Sequence, residues 1–395
     1  MISRFKKYIQ SFGPGIVTGA ADDDPSGIAT YSQTGAQYGY QLIWVAFLTF
    51  PLMSVVQEMC ARIGIVTGRG LAGNIRIRYS KKALMLCTGL LFLANTFNIG
   101  ANLAAMGEVS HMLYSGFPFF LYVGFFTLVS LLLQIYVPYR IYAKFIKYLT
   151  FILLAYIAQV FFVALDWGQI LHNTVVPTIV FSKEQIILLC ALLGTTISPY
   201  LFFWQTSQEV EEEIARGKVR ILDRSHGDHT EQISTMRADV WSGMFFSNLV
   251  MFFVIAMCAV TLHQNGITNV ASAADAAEAL RPFAGQYAYI LFAVGIIGTG
   301  LLSVPVLAGS SAYAVAETFR FKEGLYHTFR SAKAFYVIII ISMLVGLGIT
   351  FSGIDPIKTL VYSAIFNGIV APVMLFFIVA LSSNKKVMGR YVNSK

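Results

Sequence analysis

The chain has 395 residues, of which 56% are hydrophobic and only 12% are charged, and its formal net charge is +8. Soluble globular domains have about a quarter of their residues charged, so this composition excludes an ordinary soluble domain and indicates a polytopic membrane protein. The sequence contains no dinucleotide-binding, Walker A or zinc-protease motif, so nothing in it suggests ATP use or proteolysis.

Ten apolar segments follow one another along the chain, and each is long enough for a transmembrane helix of about 20 residues. They cover residues 13–38, 40–64, 84–113, 117–138, 146–167, 185–213, 238–262, 286–316, 333–352 and 357–382. The loops between them are short and leave no room for a separate soluble domain. We therefore predict an all-α membrane protein with about ten transmembrane helices, forming a single transporter domain over residues 1–395.

The basic residues predict the orientation of these spans. If the N-terminus is cytoplasmic, all but three of the 28 Lys and Arg residues lie in cytoplasmic segments, the exceptions being Lys183, Arg281 and Lys358. Cytoplasmic loops of membrane proteins carry an excess of Lys and Arg. The pattern predicts a multi-pass protein of the cell membrane with both termini in the cytoplasm. Its positive charge then faces anionic lipids, and no nucleic acid partner is needed to explain it.

Two of the spans are interrupted by a proline that has polar residues on both sides. The interruptions are Asp22-Asp23-Asp24-Pro25-Ser26-Gly27 in the first span and Thr195-Thr196-Ile197-Ser198-Pro199-Tyr200 in the sixth. Backbone carbonyls freed by such a break cannot face lipid, so the break is either a simple kink packed against protein or the lining of a cavity. Acidic residues at a helix centre add about 2.5 to 3.5 kcal/mol each. This cost favours a functional cavity over a kink.

Breaks in spans one and six of ten indicate two inverted repeats of five helices, residues 13–167 and 185–382. In transporters with such repeats, the first helix of each repeat is discontinuous near the bilayer midplane and surrounds the substrate. The predicted fold is therefore of the LeuT type, with helices 1 and 6 unwound at the midplane.

A run of glutamates follows the second break: Glu209, Glu211, Glu212 and Glu213. Such a run at the cytoplasmic end of a span indicates either a solvated helix face or a second ion site. The pattern alone favours the solvated face.

Several short motifs resemble the Nramp family of divalent-metal transporters. They are Gly13-Pro14-Gly15, Asp24-Pro25, Ala29-Thr30, Gly35-Ala36-Gln37-Tyr38-Gly39-Tyr40, Ala61-Arg62-Ile63-Gly64-Ile65-Val66-Thr67-Gly68-Arg69 and Asp355-Pro356-Ile357-Lys358. The resemblance covers most of the chain and is densest near its start. It implies a metal transporter and not an enzyme.

The chain departs from the family at both breaks. The family's Asp-Pro-Gly-Asn motif reads Asp-Pro-Ser-Gly here, so that its aspartate is kept as Asp24 and its asparagine is replaced by Gly27. The family's Met-Pro-His motif reads Ser-Pro-Tyr, which replaces the methionine by Ser198 and the histidine by Tyr200. The methionine thioether is a soft ligand that favours transition metals. Its loss resembles the pattern of the prokaryotic Nramp-related magnesium transporters.

The resemblance implies a metal site built from hard oxygen donors. Its predicted members are Asp24, Ser26, Gly27, Ala21, Thr195, Ser198, Tyr200 and Asp23, with backbone carbonyls as the donors at Ala21 and Thr195. Asp22, Gln205 and Asn367 are predicted to line or support the ion path. Mg²⁺ prefers oxygen ligands and keeps several waters, and the small residues at Gly27 and Ser198 would widen the pocket for them.

Plainer roles are also open for four of these residues. Asp22 and Asp23 could be solvated charges at the mouth of a vestibule. Tyr200 could be a packing aromatic with its hydroxyl satisfied, and Asn367 could bridge two helices.

Nramp proteins carry two histidines on the sixth span, and the matching positions here are Tyr200 and Gln205. Histidine is the only side chain that titrates near neutral pH without perturbation. We therefore expect transport of Mg²⁺, and also of Mn²⁺, by alternating access, with the ion partly hydrated and without proton coupling. The alternative is a proton-coupled Mn²⁺ or Fe²⁺ symporter of the ordinary Nramp type.

Three other classes of protein are alternatives to a metal transporter. A carboxylate cluster would repel the anionic substrate of an organic-solute symporter, and no nucleophile and base pair indicates an intramembrane enzyme. A channel stays open as an alternative and would show flux without saturation. The expected partners are divalent metal ions and the lipid bilayer, with no cofactor, no nucleic acid and no obligatory protein partner.

Overall fold

The structure is a computed structural model that describes residues 13–180, 182–225, 227–270, 273–353 and 356–393. Four basic residues used to predict the orientation, Arg4, Lys6, Lys7 and Lys395, lie outside these ranges, as does Asp355 of the last motif. Within the described ranges every regular element is helical, which confirms the all-α prediction.

Seventeen α-helices follow one another in the described residues. They are α1 (Pro14–Asp22), α2 (Pro25–Tyr38), α3 (Val45–Thr67), α4 (Leu71–Arg78), α5 (Lys81–Leu113), α6 (Phe119–Tyr136), α7 (Tyr139–Leu149), α8 (Leu153–Ala158), α9 (Trp167–Val175), α10 (Lys183–Thr196), α11 (Pro199–Ala215), α12 (Ile221–Ser225), α13 (Thr230–Thr261), α14 (Ala273–Phe319), α15 (Lys333–Thr350), α16 (Pro356–Ser382) and α17 (Lys385–Met388). Short 3₁₀ turns lie at Thr150–Ile152, Gln159–Phe162, His263–Asn265 and Gly389–Tyr391. Gly285, with φ of 81°, kinks the long α14.

Seven helical segments of the described chain are long and apolar enough to cross a membrane, and a bent pair at the C-terminal end raises the number to eight. The seven are Lys81–Leu113, Phe119–Tyr136, Ile141–Phe162, Lys183–Ala215, Thr230–Asn265, Gly285–Phe319 and Lys333–Thr350. The first two predicted spans are not among them. The first is divided into pieces of 9 and 14 residues, and α3 carries the polar residues Gln57, Glu58 and Arg62 on an otherwise apolar helix.

The first broken segment lies at the centre of the bundle. Both α1 and α2 pack against α13 and α14, and α2 also contacts α5 and α10. Helix α5 in turn packs along α14, α15 and α16, whereas α11 packs against α3 and α14. These contacts bring the ends of α1, α2, α10 and α11 together with the middle of α5.

Helices α1 and α13 pack with their backbones in direct contact. A Cβ atom built at Gly243 would lie 2.2 Å from the carbonyl oxygen of Gly15, and one built at Gly19 would lie 2.3 Å from the carbonyl oxygen of Gly243. One turn before Gly243, the carboxylate of Asp239 accepts hydrogen bonds from the backbone amides of Gly13 at 2.7 Å and Gly15 at 2.6 Å. Small residues permit this close approach of two membrane helices.

Gly243→Ala is expected to lower the stability of the protein by about 1 to 3 kcal/mol, because the added methyl group meets backbone atoms that cannot rotate away. Thermal unfolding in detergent micelles measures the effect. Gly124→Ala is the matched control, since no atom lies within 4 Å of a Cβ built at Gly124. Equal unfolding temperatures for the two variants would show that the backbones of α1 and α13 are not in contact.

Candidate metal centre at two helix breaks

Both predicted interruptions are breaks between helices. Helix α1 ends at Asp22 and α2 begins at Pro25, whereas α10 ends at Thr196 and α11 begins at Pro199. A proline ring clashes with a helical conformation of the residue before it. Accordingly, Asp24 and Ser198 are extended, with ψ of 165° and 120°. Each break is therefore fixed in place by local covalent geometry.

The two breaks border one small cavity. It is lined by Asp24, Ser26, Thr30, Asn98, Thr195, Ser198, Ser363 and Asn367. All eight side chains carry a carboxylate, a hydroxyl or an amide. The cavity volume is about 10 Å³, which is room for about one water molecule. In this conformation the cavity is an enclosed polar site with a single carboxylate.

Asp24 is held by hydrogen bonds to both of its carboxylate oxygens. Its Oδ1 accepts from the Ser26 hydroxyl and from the Gly27 amide, each at 2.7 Å. Its Oδ2 accepts from the amide groups of Asn98 at 2.9 Å and Asn102 at 3.0 Å. The bond to the Gly27 amide also caps the N-terminus of α2, where an acidic side chain is favourable. These four donors orient the carboxylate toward the cavity and stabilise its negative charge.

Sequence reasoning did not place Asn98 and Asn102 in the site. Both lie one helical turn apart on α5, as does Asn95 one turn earlier, so the three asparagines share one face of the helix. This regular spacing on one helix face was the sequence feature that could have predicted their place in the site. Asn95 faces α14 instead and donates hydrogen bonds to the Leu307 carbonyl and to hydroxyls of that helix. Thr30 and Ser363 also line the cavity and were not predicted.

Most of the predicted ligands lie at the two breaks, but not all of them face the cavity. Asp24, Ser26, Thr195, Ser198 and Asn367 line it. The Ser198 hydroxyl donates to the Thr195 carbonyl at 2.7 Å, so this predicted donor already has a partner. Gly27 contributes its amide to Asp24, and a side chain there would approach the Asp22 carbonyl.

Three of the predicted residues do not line the cavity, namely Ala21, Tyr200 and Gln205. The Tyr200 hydroxyl donates to the Ala21 carbonyl at 2.8 Å, which joins two predicted ligands to each other across the breaks. Gln205 lies further along α11, where its amide connects Thr18 of α1 to Glu209. In this conformation these residues tie α1 to α11.

Asp22 and Asp23 are buried, with exposed fractions of 1% and 0%, so their interpretation as solvated vestibule charges is wrong for this conformation. Asp22 accepts a hydrogen bond from the Ser247 hydroxyl at 2.9 Å. Asp23 also lies beside Ser247, but neither of its carboxylate oxygens has a hydrogen bond of normal geometry within the described residues. Burying an ionised carboxylate in this way costs free energy that a nearby cation would offset.

The acidic run on α11 is not a solvated face either. Glu209, Glu211 and Glu213 are buried, and only Glu212 is partly exposed. Glu211 accepts hydrogen bonds from the Tyr313 hydroxyl and the Tyr326 amide. Glu213 makes ion pairs with Arg216 and Lys218. Sequence alone suggested solvation, because part of the burial comes from elements distant in the chain: α3 lies against Glu209, and α14 with the loop after it covers Glu211.

Asn367 of α16 lines the cavity. Its side chain is 3% exposed and lines the cavity, and its Oδ1 atom has no hydrogen-bond partner in the described part of the chain. An unsatisfied amide oxygen beside Asp24 is a further hard donor. The asparagine thus faces the cavity from α16.

The sequence matches the family of natural resistance-associated macrophage protein-like (Nramp) proteins over residues 15–395. It is 27% identical over 395 residues to the divalent metal cation transporter MntH of Erwinia tasmaniensis, covering 97% of this chain and 88% of that protein. It is 26% identical to MntH of Klebsiella pneumoniae subsp. pneumoniae over 396 residues, covering 99% of this chain and 89% of that protein.

Two solved structures share the fold. A manganese transporter of Eremococcus coleocola superposes with a TM-score of 0.76 at 20% identity, over 100% of this chain and 83% of that one. Mhp1, a nucleobase-cation-symport-1 family transporter in a closed conformation, gives a TM-score of 0.62 at 16% identity, over 92% of this chain and 77% of that one. Together with the family match over nearly the whole chain, these findings identify a multi-pass membrane protein that is not an enzyme and belongs to the Nramp family.

Proposed function

We propose that the protein is a secondary transporter of hard divalent cations, chiefly Mg²⁺ and also Mn²⁺, that works by alternating access without proton coupling. The observation that carries the proposal is the lining of the central cavity. It consists of hydroxyl, amide and carboxylate groups, and Asp24 is the only carboxylate that the described residues contribute to it.

The donor set suits Mg²⁺ better than a soft transition metal. Soft sulfur ligands select transition metals, whereas carboxylates, carbonyls and water suit Mg²⁺. The position that carries methionine in the family is Ser198 here, and its hydroxyl and the neighbouring carbonyls are hard donors. Mg²⁺ is bound through one or two carboxylates and keeps several waters. Asp24 supplies one carboxylate, and we propose that the buried Asp23, which follows Asp22 at the same break, is the second.

The enclosed cavity requires a conformational change during transport. The cavity holds about one water molecule. This is too little space for a Mg²⁺ ion that keeps several waters at Mg–O distances of about 2.0 to 2.1 Å. The helices on either side of the breaks must therefore move apart to admit a partly hydrated ion. In our proposal ten spans form inverted repeats over residues 13–167 and 185–382, with the breaks at the midplane and both termini cytoplasmic. Asp22 and Gln205 lie on the path that opens.

The membrane potential is the proposed driving force. Moving a divalent cation across the membrane is worth about 4.6 kcal/mol per 100 mV, twice the value for a single charge. Among the described residues that line the cavity, only Asp24 carries an ionisable side chain, and that carboxylate accepts four hydrogen bonds.

The alternative is a proton-coupled Mn²⁺ or Fe²⁺ symporter. Two observations favour it: the relatives are described as divalent metal or manganese transporters, and Asp22 and Asp23 are further buried carboxylates beside the site.

Uptake into proteoliposomes separates the two functions. Vesicles contain a Mg²⁺-sensitive dye and a pH-sensitive dye, and a potassium gradient with valinomycin sets the potential. We expect saturable Mg²⁺ entry that stops when the potential is collapsed, with no acidification of the lumen. Mn²⁺ entry accompanied by acidification, with no entry of Mg²⁺, would establish the symporter instead. Flux that does not saturate with Mg²⁺ concentration would indicate a channel.

A further inference from the structure

A second and larger cavity lies at one end of the helix bundle, away from the metal centre. Its walls are the C-terminal end of α3, helix α4 and the C-terminal segment 385–391, together with Ser225, Gly227 and His229. Its volume is about 490 Å³. By the proposed orientation, these segments all lie on the cytoplasmic side.

The charges that line this cavity are of one sign. Its basic members are Arg69, Arg78, Lys385, Lys386 and Arg390, and no Asp or Glu among the described residues lines it. Arg390 pairs with Asp228 at 2.5 Å. The other four make no ion pair within the described residues. Four cations of one cavity are thus left without an ion-pair partner in the part of the chain that the structure describes.

A buried histidine also contributes to the cavity wall. His229 is 3% exposed, and its Nε2 atom has no hydrogen-bond partner in the described part of the chain. A buried ring nitrogen without a partner costs free energy. A ligand that reached into the cavity could satisfy this nitrogen. The histidine therefore points to a ligand independently of the basic residues.

The walls are held in place by hydrogen bonds that do not use the side chains of the four unpaired basic residues. The Tyr391 hydroxyl accepts from the His229 amide at 2.7 Å and donates to Asp228 at 3.0 Å. Asn393 fastens the C-terminal segment to the end of α16 through the Ser382 backbone carbonyl and hydroxyl, each at 3.0 Å. Asn74 of α4 donates to the Thr67 hydroxyl at 2.9 Å. The cavity is thus formed before any ligand binds.

We propose that this cavity is a binding site for a phosphate oxyanion, supplied by an anionic phospholipid headgroup or by free phosphate. Arginine matches the geometry of phosphate oxygens through paired N–H donors, and lysine adds a compact positive charge. Ile77, which is 53% exposed, also lines the cavity beside Arg78. An apolar side chain at the rim fits the start of an acyl chain, so the lipid is the favoured source.

The test compares two double variants that change the net charge equally. Arg78→Gln with Lys386→Gln removes two cations of the cavity. Lys322→Gln with Arg330→Gln removes two exposed cations of the loop between α14 and α15, which do not line it. Thermal unfolding is measured in detergent alone, with inorganic phosphate, with phosphatidylglycerol and with phosphatidylcholine. Titration of each additive gives its apparent affinity.

We expect phosphatidylglycerol to stabilise the parent and the loop variant alike, and to bind the cavity variant about 25-fold more weakly, since each basic residue near an anionic lipid surface contributes about five-fold. Stabilisation by inorganic phosphate as well, lost in the same variant, would identify a free oxyanion as a ligand of the same site. An equal loss in the two double variants would overturn the proposal, because it would show general surface attraction. Equal affinity of the parent and the cavity variant would overturn it too.

Discussion

Asp24→Asn is expected to lower the initial rate of Mg²⁺ uptake into proteoliposomes by about 100-fold or more. The substitution keeps the size of the side chain and removes the only carboxylate that lines the central cavity. Even residues that only support a metal ligand typically change affinity or activity by about 10- to 100-fold, so removal of the charged ligand should cost at least as much. Uptake is followed with the internal Mg²⁺ dye at a fixed negative potential.

The matched control for this experiment is Asp223→Asn, an identical chemical change at an exposed aspartate that lies outside the cavity. It should transport at the rate of the parent. Thermal unfolding of Asp24→Asn must also be compared with that of the parent, since the Asn98 and Asn102 amides would then face a neutral group. A well-folded Asp24→Asn protein that still transports Mg²⁺ at the parental rate would show that the metal centre lies elsewhere.

Ser198→Met is expected to shift the preference of the transporter from Mg²⁺ toward soft ions such as Cd²⁺ and Mn²⁺. The new thioether would enter a cavity whose present donors are all hard oxygen and amide groups, and sulfur selects softer metals. We expect the ratio of Cd²⁺ to Mg²⁺ uptake to rise at least about tenfold, which corresponds to about 1.4 kcal/mol of relative affinity. Competition between the two ions in the uptake assay measures this ratio.

Ser198→Leu separates the effect of the methionine sulfur from the effect of side-chain size. Leucine and methionine have similar volumes, so both variants fill the cavity to a similar extent, but only methionine can bind the ion. We expect Ser198→Leu to lower uptake of all ions without favouring Cd²⁺. If the two variants show the same ion preference, then the residue at position 198 does not contact the ion, and the argument from the lost methionine fails.

The helix breaks were predictable from sequence because their cause is local. Pro25 and Pro199 each force the preceding residue out of the helical region, and polar neighbours mark the positions. The partners of Asp24 were not predictable in the same way. Asn98 and Asn102 are distant in the chain, and only the packing of α2 against α5 brings them to the carboxylate.

The burial of charged side chains was the property predicted least accurately from the sequence. The α11 glutamates were expected to contact water, and solvation was an open alternative for Asp22 and Asp23, but other helices cover most of these residues. Charge is a good indicator of exposure in a soluble protein. In this bundle it is less reliable, because polar groups of neighbouring helices, such as Ser247 and Tyr313, replace the solvent. The family resemblance predicted the residues at the two breaks, and the packing decides which of them face the cavity.

The four hydrogen bonds to Asp24 also have a kinetic consequence for the transport cycle. A carrier of this kind must return empty after each delivery, and an uncompensated charge in the protein interior would slow that return. With the amides of Asn98, Asn102 and Gly27 and the Ser26 hydroxyl in place, the unloaded carboxylate is already stabilised. An arriving ion must replace the existing hydrogen-bond donors of Asp24. The net free energy gained on binding is therefore small, and the residence time of the ion is short. We expect a transporter of modest affinity whose turnover is limited by the movement of helices and not by release of the ion.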